Sequence, residues 1–143
     1  MRAISLWQPW ASLLFASHPV LGRFKVHETR HWGTDYRGHL AIHAAQKIVK
    51  ELPDDFDRLV RETFGSDWAK VLPRGRIVGV VMVTACRSTE SISPDTLDRL
   101  AGDWTPGRFA WRTENPVAFP TPPEVKGRQG FFQWEPPWGP RLL

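Results

Sequence analysis

The segment Ile77–Cys86 is apolar on both faces. A strand of that kind belongs in the middle of a sheet, covered above and below. The rest of the chain must therefore supply flanking strands and layers on both sides. Arg2–Trp7 alternates weakly and reads as a short strand. Phe24–Trp32 is rich in β-branched and aromatic residues and reads as another. Gly33-Thr34-Asp35 makes a turn into a strand over Gly38–Ala44. That strand sets Leu40 and Ile42 on one face and His39, Ala41 and His43 on the other. Phe109–Thr113 and Gln129–Glu135 complete the set. Seven of the 13 prolines lie from Pro116 onward, so the last strand is expected at an edge, followed by an irregular extended end.

Helices fill the gaps. Pro9 suits a first helical position, and Trp10, Leu13 and Leu14 then share a face until Ser17-His18-Pro19 stops the helix. Gln46–Leu52 and Asp54–Phe64 are also predicted helical. Phe56, Leu59, Val60 and Phe64 form an apolar stripe along the second. Pro94–Leu100 reads as a short helix with Ser93 as its N-cap. Several short strands with few helices indicate an α+β fold, a small, partly closed β-barrel with flanking helices. A length of 143 residues fits a single domain over 1–143 with a real core.

Charge narrows the partners. The net charge is +4, but residues 1–50 alone carry +5 and residues 51–64 carry −3. Fourteen of the 19 basic residues are arginine, which forks onto phosphates and stacks on bases. An anionic partner follows, nucleic acid first among them. Cys86 is the single cysteine, so no internal disulfide forms and the cytoplasm is the expected compartment. No apolar run approaches the roughly 18 residues of a membrane span, and the N-terminus lacks signal-peptide features. His39 and His43 share a strand face without a cysteine set or a third ligand, so neither metal nor cofactor is expected.

Two short motifs stand close together. Ser5-Leu6-Trp7-Gln8-Pro9-Trp10 sets two tryptophans around a Gln-Pro step, and Lys25, Glu28 and Arg30 follow as K-x-x-E-x-R. Further on come Tyr36-Arg37-Gly38 with Leu40–Ala44, the apolar Ile77–Cys86, and Phe109-Ala110-Trp111 with Asn115-Pro116. In this order the segments resemble the ASCH domain family, named after the C-terminal domain of activating signal cointegrator. The resemblance covers nearly the whole chain. It departs in the insertion Phe15–Leu21 and in a Gly22 that stands one residue early before Lys25. It implies a PUA-like barrel that binds RNA or another nucleic acid. Some family members resemble ribonucleases, and some very small ones are amidohydrolases of acetylated cytidine.

The candidate residues follow. Glu28 and Arg30, two apart on a strand, share a face, whereas Lys25 joins them only if the chain bends or the strand begins after it. Lys25 is a phosphate contact or proton carrier, Glu28 its orienting group or a general base, and Arg30 a fork for phosphate. The alternative is an ion pair that pins the sheet edge. Gln8 is a poor N-cap and is expected to have another task, such as reading a base edge. Trp7 is a base-stacking candidate, while Trp10, Trp32 and Trp111 are expected in the core. His43 is a proton donor or phosphate contact in the cleft. Arg37 and Lys47 extend the phosphate track, and His27 and His31 are expected to be exposed.

In the small amidohydrolases the acting pair resembles a Lys with a Thr three residues later. Here Glu28 holds that place and Thr29 comes one residue late; Ser5 and Ser12 are the nearest hydroxyls by sequence. Three functions are therefore in play. The first is binding of RNA or single-stranded nucleic acid in a basic cleft, with weak ribonuclease activity through Lys25 or His43. The second is amidohydrolysis of a modified nucleoside such as acetylated cytidine. The third is a protein-interaction module, for which no partner is identifiable.

Overall fold

The computed structural model describes residues 1–139. Among these residues eight strands and four α-helices run in the order β1 (Arg2–Gln8), α1 (Trp10–Leu13), β2 (Ser17–His18), β3 (Gly22–Arg23), β4 (His27–Arg30), β5 (Gly38–Ile48), α2 (Asp54–Phe64), α3 (Trp68–Val71), β6 (Arg76–Ser88), α4 (Thr96–Leu100), β7 (Phe109–Ala118) and β8 (Phe132–Gln133). Six strands form one sheet in the order β4-β7-β6-β5-β1-β8, and β2 and β3 form a small hairpin. As its two apolar faces require, β6 lies inside the sheet, antiparallel to both β5 and β7. β1 and β5 run parallel, with Ile4 opposite Ile42 and Ser5 opposite His43.

Apolar side chains cover both faces. Ile4, Leu6, Leu40, Ile42 and the fully buried Trp111 form one cluster. Ala3, Ala41, Ile77, Val80 and Trp134 pack on the opposite side. A third cluster sits beneath α2, where Phe56, Leu59 and Val60 meet Leu13, Phe24 and Leu97. Asp54, Asp55 and Asp57 in the first turn of α2 complement its macrodipole.

The expected barrel is not closed by a ladder. Among the described residues no strand pairing joins β4 to β8, so the hydrogen-bonded sheet is open. Its two edges instead approach through aromatic side chains. Trp32, just after β4, meets Phe131, just before β8, edge to face at 5.2 Å. Trp111 stacks edge-on to Trp32 at 4.7 Å. β8 is only two residues long, cut short in the tail where the prolines gather.

Other expectations are corrected. Residues 46–48 extend β5 rather than begin a helix, because Ile48 pairs with Gln8 of β1 and the Val49 N–H donates to the Gln8 carbonyl at 2.9 Å. A tertiary partner overrides local helix propensity. α4 starts at Thr96, not Pro94, and its N-cap is Asp95, whose carboxylate accepts the Asp98 N–H at 2.9 Å. α1 begins after Pro9 and lasts one turn. Trp10 and Trp32 are half-buried rather than fully core. α3, which buries Trp68, has no counterpart in the sequence reading. Residues 140–143, the last of the expected extended end, lie outside the described residues.

Candidate functional site

The sequence candidates fall into two groups at different places in the sheet. The first surrounds the edge strand β4. β3 ends at Arg23 and β4 begins at His27, so the chain bends at Lys25 and turns its side chain to the Glu28 side. Lys25 Nζ lies 3.3 Å from Glu28 Oε1 and donates to the Ala101 carbonyl at 2.7 Å. The Arg30 guanidinium donates to Glu28 Oε2 at 2.9 Å. One carboxylate thus bridges two cations. Lys25 is 1% exposed and Glu28 7%, so of the three only Arg30 reaches water appreciably. Thr29 is also buried, and its hydroxyl accepts the Asp103 N–H at 2.9 Å.

His27, expected to be exposed, is buried against Trp104 and paired with Asp98; His31 is exposed. Asp98 Oδ2 meets His27 Nδ1 at 2.7 Å, and Oδ1 accepts the N–H groups of Val26 and His27. Burial alone would push the Asp98 carboxyl up. The hydrogen bonds from the His27 ring and the two backbone N–H groups outweigh it and hold the carboxyl below its ordinary value.

The second group lies on the β1–β5 face opposite the Ile4–Ile42 cluster. Strand alternation turns Ser5 and Trp7 outward on β1. His43 and Lys47 lie across from them on β5. Trp7 is 49% exposed, and Lys47 Nζ stands 3.9 Å over its ring. Beside them runs a groove of about 730 Å³ bounded by Ser5, His43, Gln46, Arg74 and the segment 124–129. Arg74, Lys126 and Arg128 bring three positive charges to its walls. The one acidic lining residue, Glu124, is held by Arg76 at 3.0 Å.

His43 is buried at the groove floor. Its Nε2 faces the Val125 carbonyl at 2.5 Å, and its Nδ1 lies 2.8 Å from Ser5 Oγ. A carbonyl only accepts, so Nε2 carries the proton and Nδ1 accepts the Ser5 hydroxyl hydrogen. Burial pushes the His43 pKa down despite the opposing effect of the Val125 hydrogen bond, which keeps the ring neutral near pH 7.

Two expected contacts sit elsewhere. Gln8 does have a task, but an internal one. It is fully buried, its amide donating to Ser12 Oγ and the Pro73 carbonyl, both at 2.8 Å, and accepting the Ser12 N–H. Arg37 is exposed before the start of β5, bonded to the Thr34 and Tyr36 carbonyls. Lys47 lies near the far end of that strand, roughly 30 Å away at about 3.3 Å per residue. Arg74, Lys126 and Arg128 were missed by the sequence reading. The run Lys126-Gly127-Arg128, just before the expected strand Gln129–Glu135 and assigned to no element, was the available signal.

Among the described residues no group of three or more His, Cys, Asp or Glu is placed to hold a metal, and no helix is long and apolar enough to cross a membrane. The fold and groove define an α+β protein with a basic surface channel beside an exposed tryptophan. The ASCH domain model matches residues 4–96, so the chain belongs to the ASCH domain family. That span includes both groups of sequence candidates; the groove segment 124–129 lies beyond it. No curated protein matches the chain.

Proposed function

We propose that the chain binds single-stranded RNA along the outer face of β1 and β5, with the backbone following the groove walled by Arg74, Lys126 and Arg128. The observation that carries this reading is the three-cation groove next to an exposed tryptophan. Cations along a channel hold phosphates, and an aromatic ring stacks a base without regard to sequence. Lys47 leaves the Trp7 ring for a phosphate when a base takes its place. Arg30 makes a secondary contact from the β4 edge. Lys25 and Glu28 act behind it as a buried frame.

The chain is read as one PUA-like domain over 1–143, its sheet completed into a barrel by the Trp32–Phe131 contact. Its lone cysteine suits a reducing compartment such as the cytoplasm. Slow RNA cleavage, where it occurs, uses His43 to move a proton. RNA binding is preferred to nucleoside amidohydrolysis because neither the 730 Å³ groove nor the apolar hollow of about 380 Å³ near Phe15 and Phe64 is lined by Lys25 or Glu28.

Fluorescence anisotropy with a labelled, unstructured RNA tests the reading. Log affinity should fall linearly with log salt, with a slope of about −0.7 for each phosphate neutralised. No binding at low salt, or binding with no slope, refutes it.

A further inference from the structure

Ser5 and His43 face each other across the parallel β1–β5 ladder. The Val125 carbonyl fixes the His43 proton on Nε2, and the bare Nδ1 receives the Ser5 hydroxyl. A hydroxyl, a neutral base and a third group that orients the base make an activated nucleophile. The neutral ring is the form that can take a proton.

The backbone above the pair is a second observation. A Cβ added to Gly127 would stand 2.5 Å from both Ser5 Oγ and His43 Cε1. Any other residue there would collide with the pair. Ser5 is partly exposed, and both it and His43 line the groove. The flanking Arg74, Lys126 and Arg128 favour a substrate that carries phosphate.

We propose that Ser5 is the nucleophile and His43 the general base of an acyl-transfer site whose substrate is an acyl ester on the ribose of a phosphate-bearing nucleotide. The nucleotide carrier rests on the nucleic-acid reading above; the Ser5–His43 pair does not. Ser5 Oγ bonds to the ester carbonyl carbon as its proton passes to His43 Nδ1. The bond from that carbon to the ribose oxygen then breaks, and the ribose oxygen takes the proton from His43. Water attacks the acyl-serine next. His43 accepts a proton from the water and returns it to Ser5 Oγ as the carboxylic acid departs. Ester and water become acid and alcohol, with no oxidant, reductant or co-reactant.

The test compares wild type, Ser5→Ala and His43→Gln on ribose-acetylated AMP and on ribose-acetylated adenosine. A fluorophosphonate probe, located by mass spectrometry, reports the nucleophile, and thermal melts establish that each protein is folded. We expect the probe on Ser5 of wild type, and a loss of turnover of about 100-fold or more in each variant. The phosphorylated ester should react about tenfold faster than the neutral one. The wild-type rate should rise with pH to a plateau whose midpoint lies below the ordinary histidine value of 6.5. Folded wild type with neither Ser5 adduct nor ester turnover overturns the proposal. So does turnover unchanged in Ser5→Ala, a variant that removes one oxygen and keeps the fold testable if His43→Gln does not. Equal rates on the two esters overturn the nucleotide carrier. RNA binding by wild type is measured alongside: binding with neither adduct nor turnover fails the acyl-transfer site alone, and an adduct with turnover but without binding fails the nucleic-acid reading alone.

Discussion

The β4 edge and the β1–β5 face use similar residues to opposite ends. At β4, Lys25, Glu28 and Arg30 form a chain of contacts, and Lys25 is capped by a main-chain carbonyl from α4's end. Most of the charge there is spent inside the protein. On the β1–β5 face the cations Lys47, Arg74, Lys126 and Arg128 lie along solvent, and the one acid among them is occupied by Arg76. A charged motif is therefore no guide to a ligand site until its counter-charges are located. A buried ion stripped of its partner is costly, so the charges of the β4 cluster are committed to one another, whereas a solvent-facing row without carboxylate partners is free to attract an anion.

Glu28→Ala tests this contrast most severely. It strands the Lys25 ammonium in the interior and should cost about 3–5 kcal/mol of stability in urea denaturation, with RNA affinity per folded molecule little changed. Stability near that of wild type would show that the β4 cluster is not holding the fold. Asp98→Asn comes next, at about 1.5–3 kcal/mol near neutral pH, since charged hydrogen bonds from His27 and Val26 are weakened. Asp98 has a depressed pKa in the folded state. Its contribution is therefore complete above the unfolded value of about 3.9 and is lost as pH falls through the lower folded value. The difference between wild type and Asp98→Asn should close over that acid range, and a difference independent of pH would exclude the ionised carboxylate as its source.

The exposed face should respond in the opposite sense. Trp7→Ala should weaken RNA binding by about 1–3 kcal/mol, the value of one stacked base, while changing stability by only about 0.5 kcal/mol. A large loss of stability with unaltered binding would move Trp7 into the other category. The smallest effects belong to Lys126→Ala and Arg128→Ala. Each should make the salt slope shallower by about 0.7 and leave the melting temperature nearly unchanged. Calorimetry and anisotropy on the same preparations separate the two kinds of loss.

Much of this contrast was only half legible in the sequence. The central place of β6 was readable because its apolar residues cover both faces, a pattern few other positions tolerate. The proximity of Lys25, Glu28 and Arg30 was readable from spacing once the chain was allowed to bend near Gly22. Their burial was not, because the carbonyl that caps Lys25 comes from Ala101, 76 residues away in sequence. The poor fit of Gln8 as an N-cap sets it apart in the sequence, but not its burial, because its partner Pro73 lies 65 residues away. Residues 46–48 form strand through pairing with β1, which no local propensity records. Lys126 and Arg128 meet the β1–β5 face only after the tail folds back beneath Gly75 and Arg76, as the Val125 N–H bond to the Gly75 carbonyl and the Arg76–Glu124 bridge require.

The meeting of Trp32 and Phe131 sets a schedule for the chain as it is made. The two rings lie roughly a hundred residues apart in sequence, a separation that makes such a contact slow to find. A nascent chain that has emerged as far as β7 can pair β5, β6, β7 and β4, but nothing yet stands against the free side of β1. Until Phe131–Gln133 leaves the ribosome, that strand shows an unpaired row of amides and carbonyls, the kind of edge to which another chain can add. Among the described residues the last strand to arrive is two residues long, and it closes the Arg2–Ala3 end of that edge.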